Sequence, residues 1–388
     1  MAVDWTQLPQ ELLISIADNL KIYADYLRFC AVCHSWRSSV PNTPRHLPPQ
    51  LPWLMLLDYS DESHGSSDRV FFDPCARKIR HLEVLEALSY DTRFCGSSHG
   101  WVVFLDYSDE SRAVLLLNPL TQASLHLPPF SAYPKAQSFN YSEVDAFQFT
   151  FPQTQTLRKR LHLYIKKVVF SSAPLGNNNF IALAICCGVY ANVLAYCKKG
   201  DETWTLIPRT MFSFADVVYY NGLFYGVDYH GVIAVCDING ASPIVSIIRP
   251  PLLFHKRVGA VMLYLVNSGD DELLLARRYV SRKFYDNGDL ESYNTVWFEV
   301  FKMNWSEQRW DRVTNLGDRM LFIGSKSSVS FLASGSRGCL GNCIYFTEDD
   351  EPFPSYYFRI FKLSGGSFET CWLINPYGPS IWVTPNPC

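Results

Sequence analysis

Gly96-Ser-Ser98-His-Gly100 satisfies the G-x-S-x-G pattern by which a hydrolase presents a nucleophilic serine. That chemistry needs a strand, a strained turn and then a helix, so that the hydroxyl stands beside backbone N–H groups able to hold an oxyanion. Here Trp101-Val-Val-Phe-Leu105 follows, a β-branched and aromatic run that predicts a strand. The segment is expected to be a turn between strands, and a serine hydrolase using Ser98 stays as a rival function.

Cys30-Ala-Val-Cys33-His34 fits the haem-attachment spacing C-x-x-C-H. Attachment requires export, and MAVDWTQLPQ carries neither a basic nor a long apolar leader region, so these cysteines are expected to be small core residues. No second Cys-x-x-Cys pair stands at zinc spacing: Cys186 and Cys187 are adjacent, and three residues separate Cys339 from Cys343. The glycines of Gly335-Ser-Arg-Gly338-Cys-Leu-Gly341 have the wrong interval for a dinucleotide loop or a P-loop. Neither cofactor nor metal is expected. Arg158-Lys-Arg160 with Lys166-Lys167, and the acidic run Glu348 to Glu351, read as solvated edges or loops.

The composition sets wider limits. Of 388 residues 48% are hydrophobic and 18% charged, which is ample for a packed core. A formal net charge of −3 argues against a broad cationic surface, so neither nucleic acid nor membrane is expected as a partner. The expected location is cytoplasmic or nuclear, where the twelve cysteines would remain thiols.

Two textures divide the chain near residue 48. In residues 6–39 Pro9 suits a first helical turn, Glu11 favours its positive end, and Leu12, Leu13, Ile16 and Leu20 form one apolar stripe. A second helix is expected from near Asp25 through Leu27, Phe29, Cys30 and Val32 to Trp36, before Pro41 and Pro44 end it. From residue 49 to 388 short runs of Val, Ile, Leu, Phe and Tyr alternate with turn residues. Leu57-Asp-Tyr-Ser-Asp-Glu-Ser63 returns unchanged as Leu105-Asp-Tyr-Ser-Asp-Glu-Ser111, with Trp53 and Trp101 four residues ahead and Asp73-Pro74 and Asn118-Pro119 behind. A looser unit spans Val217 to Ile248 with a hairpin signal at Asn221-Gly222, and further units end near Trp204 and Trp310. A period of about 45 to 50 residues with some four strands per unit predicts a mainly β chain, a propeller of about six or seven blades behind a small helical head. A pair of β-sandwiches is the alternative.

Several stretches, in this order and spacing, resemble a known family. Trp5-Thr-Gln-Leu8-Pro9-Gln-Glu11-Leu12-Leu13, Asp25-Tyr-Leu27-Arg28-Phe29 and Val32-Cys33-His-Ser35-Trp36-Arg37 resemble an F-box. Gly96 to Trp101, Leu117-Asn-Pro-Leu-Thr121, Leu127-Pro-Pro129, Phe298-Glu-Val-Phe301 and Gly341-Asn-Cys-Ile-Tyr345 resemble the plant KIB-type domain that follows many F-boxes. The resemblance implies a non-catalytic substrate receptor of a cullin-RING ubiquitin ligase. Its head (residues 1–48) would bind the Skp adaptor, and through it the cullin scaffold; its propeller (residues 49–388) would bind a client protein. It further implies that Leu8, Pro9, Leu12, Leu13, Ile16, Leu27, Val32, Cys33, Trp36 and Arg37 form the adaptor-binding set, and it places no residue at the client site. A propeller scaffold outside any ligase is the alternative.

Overall fold

A computed structural model describes residues 5–20, 23–41, 50–56, 68–83, 92–106, 113–129, 164–174, 180–187, 192–207, 213–251, 260–269, 272–284, 290–334, 338–348, 355–377 and 380–386. The head contains a 3-10 turn at Trp5–Gln7 and three helices: α1 (Gln10–Asn19), α2 (Tyr23–Ala31) and α3 (His34–Ser38). The second expected helix is thus two, because Cys33 takes an extended conformation between them. Strands begin at Trp53.

The strands form six sheets. The first holds β1 (Trp53–Leu56), β2 (Asp68–Asp73) and β3 (Lys78–Glu83); the second, β4 (Thr92–Ser98), β5 (Trp101–Asp106), β6 (Val114–Leu117) and β7 (Ser124–Leu127). In the third are β8 (Tyr164–Phe170), β9 (Ile181–Cys187), β10 (Asn192–Lys198) and β11 (Thr205–Leu206), and in the fourth β12 (Phe214–Tyr220), β13 (Leu223–Asp228), β14 (Ile233–Asp237) and β15 (Ile244–Ile248). The fifth comprises β16 (Ala260–Asn267), β17 (Leu273–Phe284), β18 (Leu290–Asn304) and β19 (Arg309–Val313). The sixth comprises β20 (Arg319–Ile323), β21 (Ser328–Leu332), β22 (Cys343–Phe346), β23 (Ser355–Lys362) and β24 (Ser367–Tyr377). The last strand, β25 (Ser380–Val383), returns to pair with β1, in the register Trp53 to Val383 through Leu56 to Ser380. The fold is therefore a six-bladed propeller whose first blade is completed by the last strand.

Six apolar cores, one at each junction, close the ring. Met55, Phe71 and Phe104 join the first two sheets, Trp101, Val168 and Trp204 the second and third, and Leu183, Val217 and Phe224 the third and fourth. Val227, Leu265 and Trp310 join the fourth and fifth, Val266, Phe298 and Phe361 the fifth and sixth, and Leu54, Phe322 and Trp382 the sixth and first. Three buried indoles also cross junctions: Trp204 Nε1 donates to the Pro128 carbonyl (2.8 Å), Trp310 Nε1 to Gly231 (3.1 Å) and Trp382 Nε1 to Ile323 (3.2 Å). Each spares a buried N–H the cost of going unpaired while fixing the height of one blade against the next.

The repeated heptapeptide follows β1 in one copy and closes β5 in the other, and each is the second strand of its sheet. Trp53 and Trp101 open those strands, while Asp73 and Asn118 head the turns after β2 and β6. The flanks of the two copies are thus equivalent; the first heptapeptide, Leu57 to Ser63, and all of the second but Leu105 and Asp106 lie outside the described residues. Asn221 and Gly222 both have positive φ (45° and 82°), as a two-residue type I′ hairpin requires.

Three readings of polar residues are corrected. Lys167 is not at a solvated edge: it is buried on β8 and donates to Asp216 Oδ1 at 2.6 Å, both side chains being 3% exposed. Asp216 Oδ1 also accepts its neighbour Val217 N–H (2.8 Å), and Oδ2 accepts Leu265 N–H from β16 (2.7 Å), so one carboxylate ties three blades near the axis. Glu348 is also turned inward, between Arg278 and Arg359, and Arg278 further donates to Thr295 Oγ1 and to the Thr347 carbonyl. Arg158 to Arg160 and Asp349 to Glu351 lie outside the described residues. The third correction is that Cys75 and Cys339 are joined by a disulfide rather than held as separate thiols.

Asp216→Ala would leave Lys167 charged and buried with no anion, and two backbone N–H groups without their acceptor. The expected cost is about 3 to 5 kcal/mol of unfolding free energy. Lys167→Met, which leaves Asp216 its two backbone donors, should cost clearly less. Urea midpoints of the two variants check this, and equal losses would sink the hub assignment.

Candidate functional site

The G-x-S-x-G pattern falls on a turn between two strands. Ser98 ends β4, His99 and Gly100 turn with φ of 53° and 84°, and Trp101 begins β5, so the pattern is a two-residue hairpin. Ser98 Oγ lies 2.8 Å from His99 Nδ1, but among the described residues no carboxylate hydrogen-bonds that ring, and the chain leaves the turn as a strand. The glycines serve packing: a Cβ on Gly96 would stand 2.3 Å from the Val168 carbonyl oxygen of the neighbouring blade, and one on Gly100 would stand 2.5 Å from that of Asn386. The cysteine motif resolves similarly, since Cys30 packs beside the head's core and Cys33 forms the break between α2 and α3.

The head is the surface that remains. Pro9 caps α1 with ψ of 144°, and its carbonyl accepts the Leu12 and Leu13 N–H groups at 3.1 and 3.2 Å. Leu13, Ala17, Tyr26, Phe29 and Val40 form the core, with Leu8, Leu20, Cys30 and Trp36 against it. Two side-chain bonds close this small module on itself: Tyr26 OH donates to the Pro41 carbonyl (2.6 Å), and Trp36 Nε1 to that of Trp5 (3.0 Å). The Trp36 ring also sits 4.7 Å from that of Phe29.

The expected single stripe on α1 is two adjacent rows. Leu13, Ala17 and Leu20 turn inward, whereas Leu12 and Ile16, one residue and so about 100° away, turn outward and are 52% and 42% exposed. Val32, Trp5 and Ile14 are exposed as well. Five of the eleven large apolar side chains exposed among the described residues therefore lie on the small head. Of the expected adaptor-binding set, Leu12, Ile16, Val32, Pro9 and Arg37 are open to a partner; Leu8, Cys33 and Trp36 are half-buried. Leu13 is corrected: wholly buried, it supports the face from beneath. Leu27 lies in α2, its side chain outside the described set. Trp5 and Ile14 are exposed outside the expected adaptor-binding set: one helical stripe does not report the row beside it, where Ile14 lies, and Trp5 precedes the helix in the 3-10 turn. Among the described residues of the propeller the most exposed large apolar one is Trp372 of β24, whose ring centroid lies 5.3 Å from that of Tyr357.

Comparison with known proteins adds family to geometry. Residues 5–44 match an F-box-like model and residues 71–367 match the KIB1-4 β-propeller. Among curated relatives, the putative F-box protein At5g55150 of Arabidopsis thaliana is 27% identical over 90% of this chain and 86% of its own length. F-box protein SKIP23 of the same plant is 26% identical over 99% of this chain and 95% of its own.

Ser98 should resist a fluorophosphonate probe, because it sits in a strand-to-strand turn rather than a strand-to-helix elbow. Intact-mass spectrometry after labelling checks this, and stoichiometric modification lost in Ser98→Ala would restore the hydrolase.

Proposed function

The chain belongs to the KIB1-4 β-propeller family, and from that premise, with the F-box-like head, we propose that it is the client-receiving subunit of a Skp–cullin ubiquitin ligase. The head docks on a Skp adaptor, and through it on the cullin scaffold. The propeller holds a client protein for ubiquitination, in the cytoplasm or nucleus.

The observation that carries this reading is the exposed apolar face of the head. Leu12, Ile16, Val32 and Trp5 stand open while the row beneath them, Leu13 and Ala17, completes a core of its own. Such a face on a folded module is what helix recognition in a partner's groove uses. Burying two or three of these side chains contributes about 1.5 to 3 kcal/mol each. The propeller, with six cores of its own, is a rigid mount that needs no catalytic group. Its contribution is positional: a tethered client sits at high effective concentration beside the charged enzyme.

The two rows of α1 separate docking from folding. Leu12→Asp with Ile16→Asp should weaken adaptor binding about 30- to 1,000-fold, the range for truncated interface anchors, with the thermal transition unchanged. Leu8→Ala with Pro9→Ala should weaken it as well. Leu13→Ala should instead destabilise the head by about 2 to 5 kcal/mol. Calorimetric titration against a Skp adaptor from the same organism checks the set. Failure of the folded parent to bind, or parental affinity in the Leu12/Ile16 variant, would remove the ligase reading in favour of a scaffold.

A further inference from the structure

Among the described residues the junction between the sixth and first blades is the one that carries a disulfide. Cys75, Cys339, Cys343 and Cys371, four of the twelve cysteines, all belong to its apolar cluster. Cys75 lies in the turn between β2 and β3, and Cys339 in the segment leading to β22. Their Cα atoms are 4.9 Å apart across 264 residues of chain, within the span a disulfide bridges.

Both turns are built to bring these two residues together. Asp73 Oδ1 accepts the N–H groups of Cys75 (3.1 Å) and Ala76 (2.9 Å), which fixes the turn around the first cysteine. On the other side the Leu340 N–H donates to Tyr345 OH at 2.9 Å. Gly338 has φ of 94°, and a Cβ there would stand 2.3 Å from the Cys75 carbonyl oxygen, so the backbone beside Cys339 lies directly on the backbone of Cys75. The other two thiols stay apart from the bond: Cys343 is buried and Cys371 half-buried, and burial raises both above the ordinary thiol range.

We infer that Cys75 and Cys339 form a redox-responsive clasp on the blade junction that closes the ring, oxidised and reduced by a low-molecular-weight thiol–disulfide couple such as glutathione. On oxidation the two thiols give up two protons and two electrons as their S–S bond forms, and the S–S bond of oxidised glutathione breaks to give two glutathione thiols. Cys75, half-buried where Cys339 is 9% exposed, is the side from which a small thiol enters. Because the same junction already holds the Leu54, Phe322 and Trp382 core and the pairing of β25 with β1, reduction loosens the closure without opening it. The state of the clasp sets how firmly the ring is held, independently of what the head binds.

The test equilibrates the full chain in glutathione buffers from reduced to oxidised, blocks remaining thiols with N-ethylmaleimide, and maps peptides without reduction. Under oxidising conditions a Cys75–Cys339 linked peptide is expected, with Cys343 and Cys371 recovered as thiols. The thermal midpoint should rise by about 3 to 6 °C, the shift for a long-loop disulfide in a chain of this size. Cys75→Ser and Cys339→Ser should match the reduced parent and ignore the buffer. Should a variant fail to fold, reduced and oxidised parent provide the same comparison in one molecule. Absence of the linked peptide, a bond to another cysteine, an equal shift in Cys75→Ser, or a bond that survives excess reduced glutathione would each overturn the clasp.

Discussion

Ring closure is the constraint on which the rest of the structure depends. A propeller blade is a sheet with two apolar faces, and both are covered only when every blade has a neighbour on each side. Here the first and last blades meet through one short strand: β25 lends its four residues to the first sheet, and Trp382 reaches from it to the Ile323 carbonyl of the sixth. Burial on both faces also explains the sequence of the strands. Trp53 to Leu56, Trp101 to Leu105 and Ile181 to Cys186 are continuous apolar runs, buried at every position, rather than the alternating pattern of a sheet with one wet face.

Closure also brings the inner strands into a crowded axis where backbone and side-chain polar groups need partners. Asp216 answers part of that need by accepting from β8, β12 and β16 together, and Lys166 donates to the Ala215 carbonyl beside it. A second polar seam, Arg278 with Glu348, Thr295 and Arg359, joins the fifth and sixth blades. Such groups are costly when unpaired, so they specify one arrangement of blades more sharply than the apolar cores, which tolerate exchange of similar shapes.

Much of this architecture was legible in the residues. The repeated heptapeptide and its flanking tryptophans gave two equivalent blades, Asn221-Gly222 located a hairpin, and Trp204 and Trp310 marked unit ends because each indole must cross to the preceding blade. What escaped was pairing over long separations. Lys166-Lys167 looks like a surface charge run until Asp216, 49 residues on, is placed beside it, and nothing local to Cys75 names a partner 264 residues away. The sixth sheet was equally opaque: β20 pairs in parallel with β22 while β21 folds back on its other side, a crossing that turn signals and strand patterns do not encode. In the head the apolar period predicted α1 correctly, but periodicity reports that a helix has an apolar side and not which of two neighbouring rows meets its own chain.

That last ambiguity is where the physics of the two parts diverges. The propeller covers the faces of its blades against one another, so any partner it holds must be recognised by what its edges and connections display. The head cannot do the same, since three short helices around Leu13, Ala17, Tyr26, Phe29 and Val40 enclose too little volume to cover Leu12, Ile16 and Val32 as well. Its hydrogen bonds from Tyr26 and Trp36 tie the helices to the flanking segments at Pro41 and Trp5 while these side chains stay exposed. A module held in that state loses little entropy when a groove covers its face, and most of the apolar burial then appears as affinity. The same economy keeps the two tasks separable, because the residues that orient the open face of the head and those that close the ring share no core.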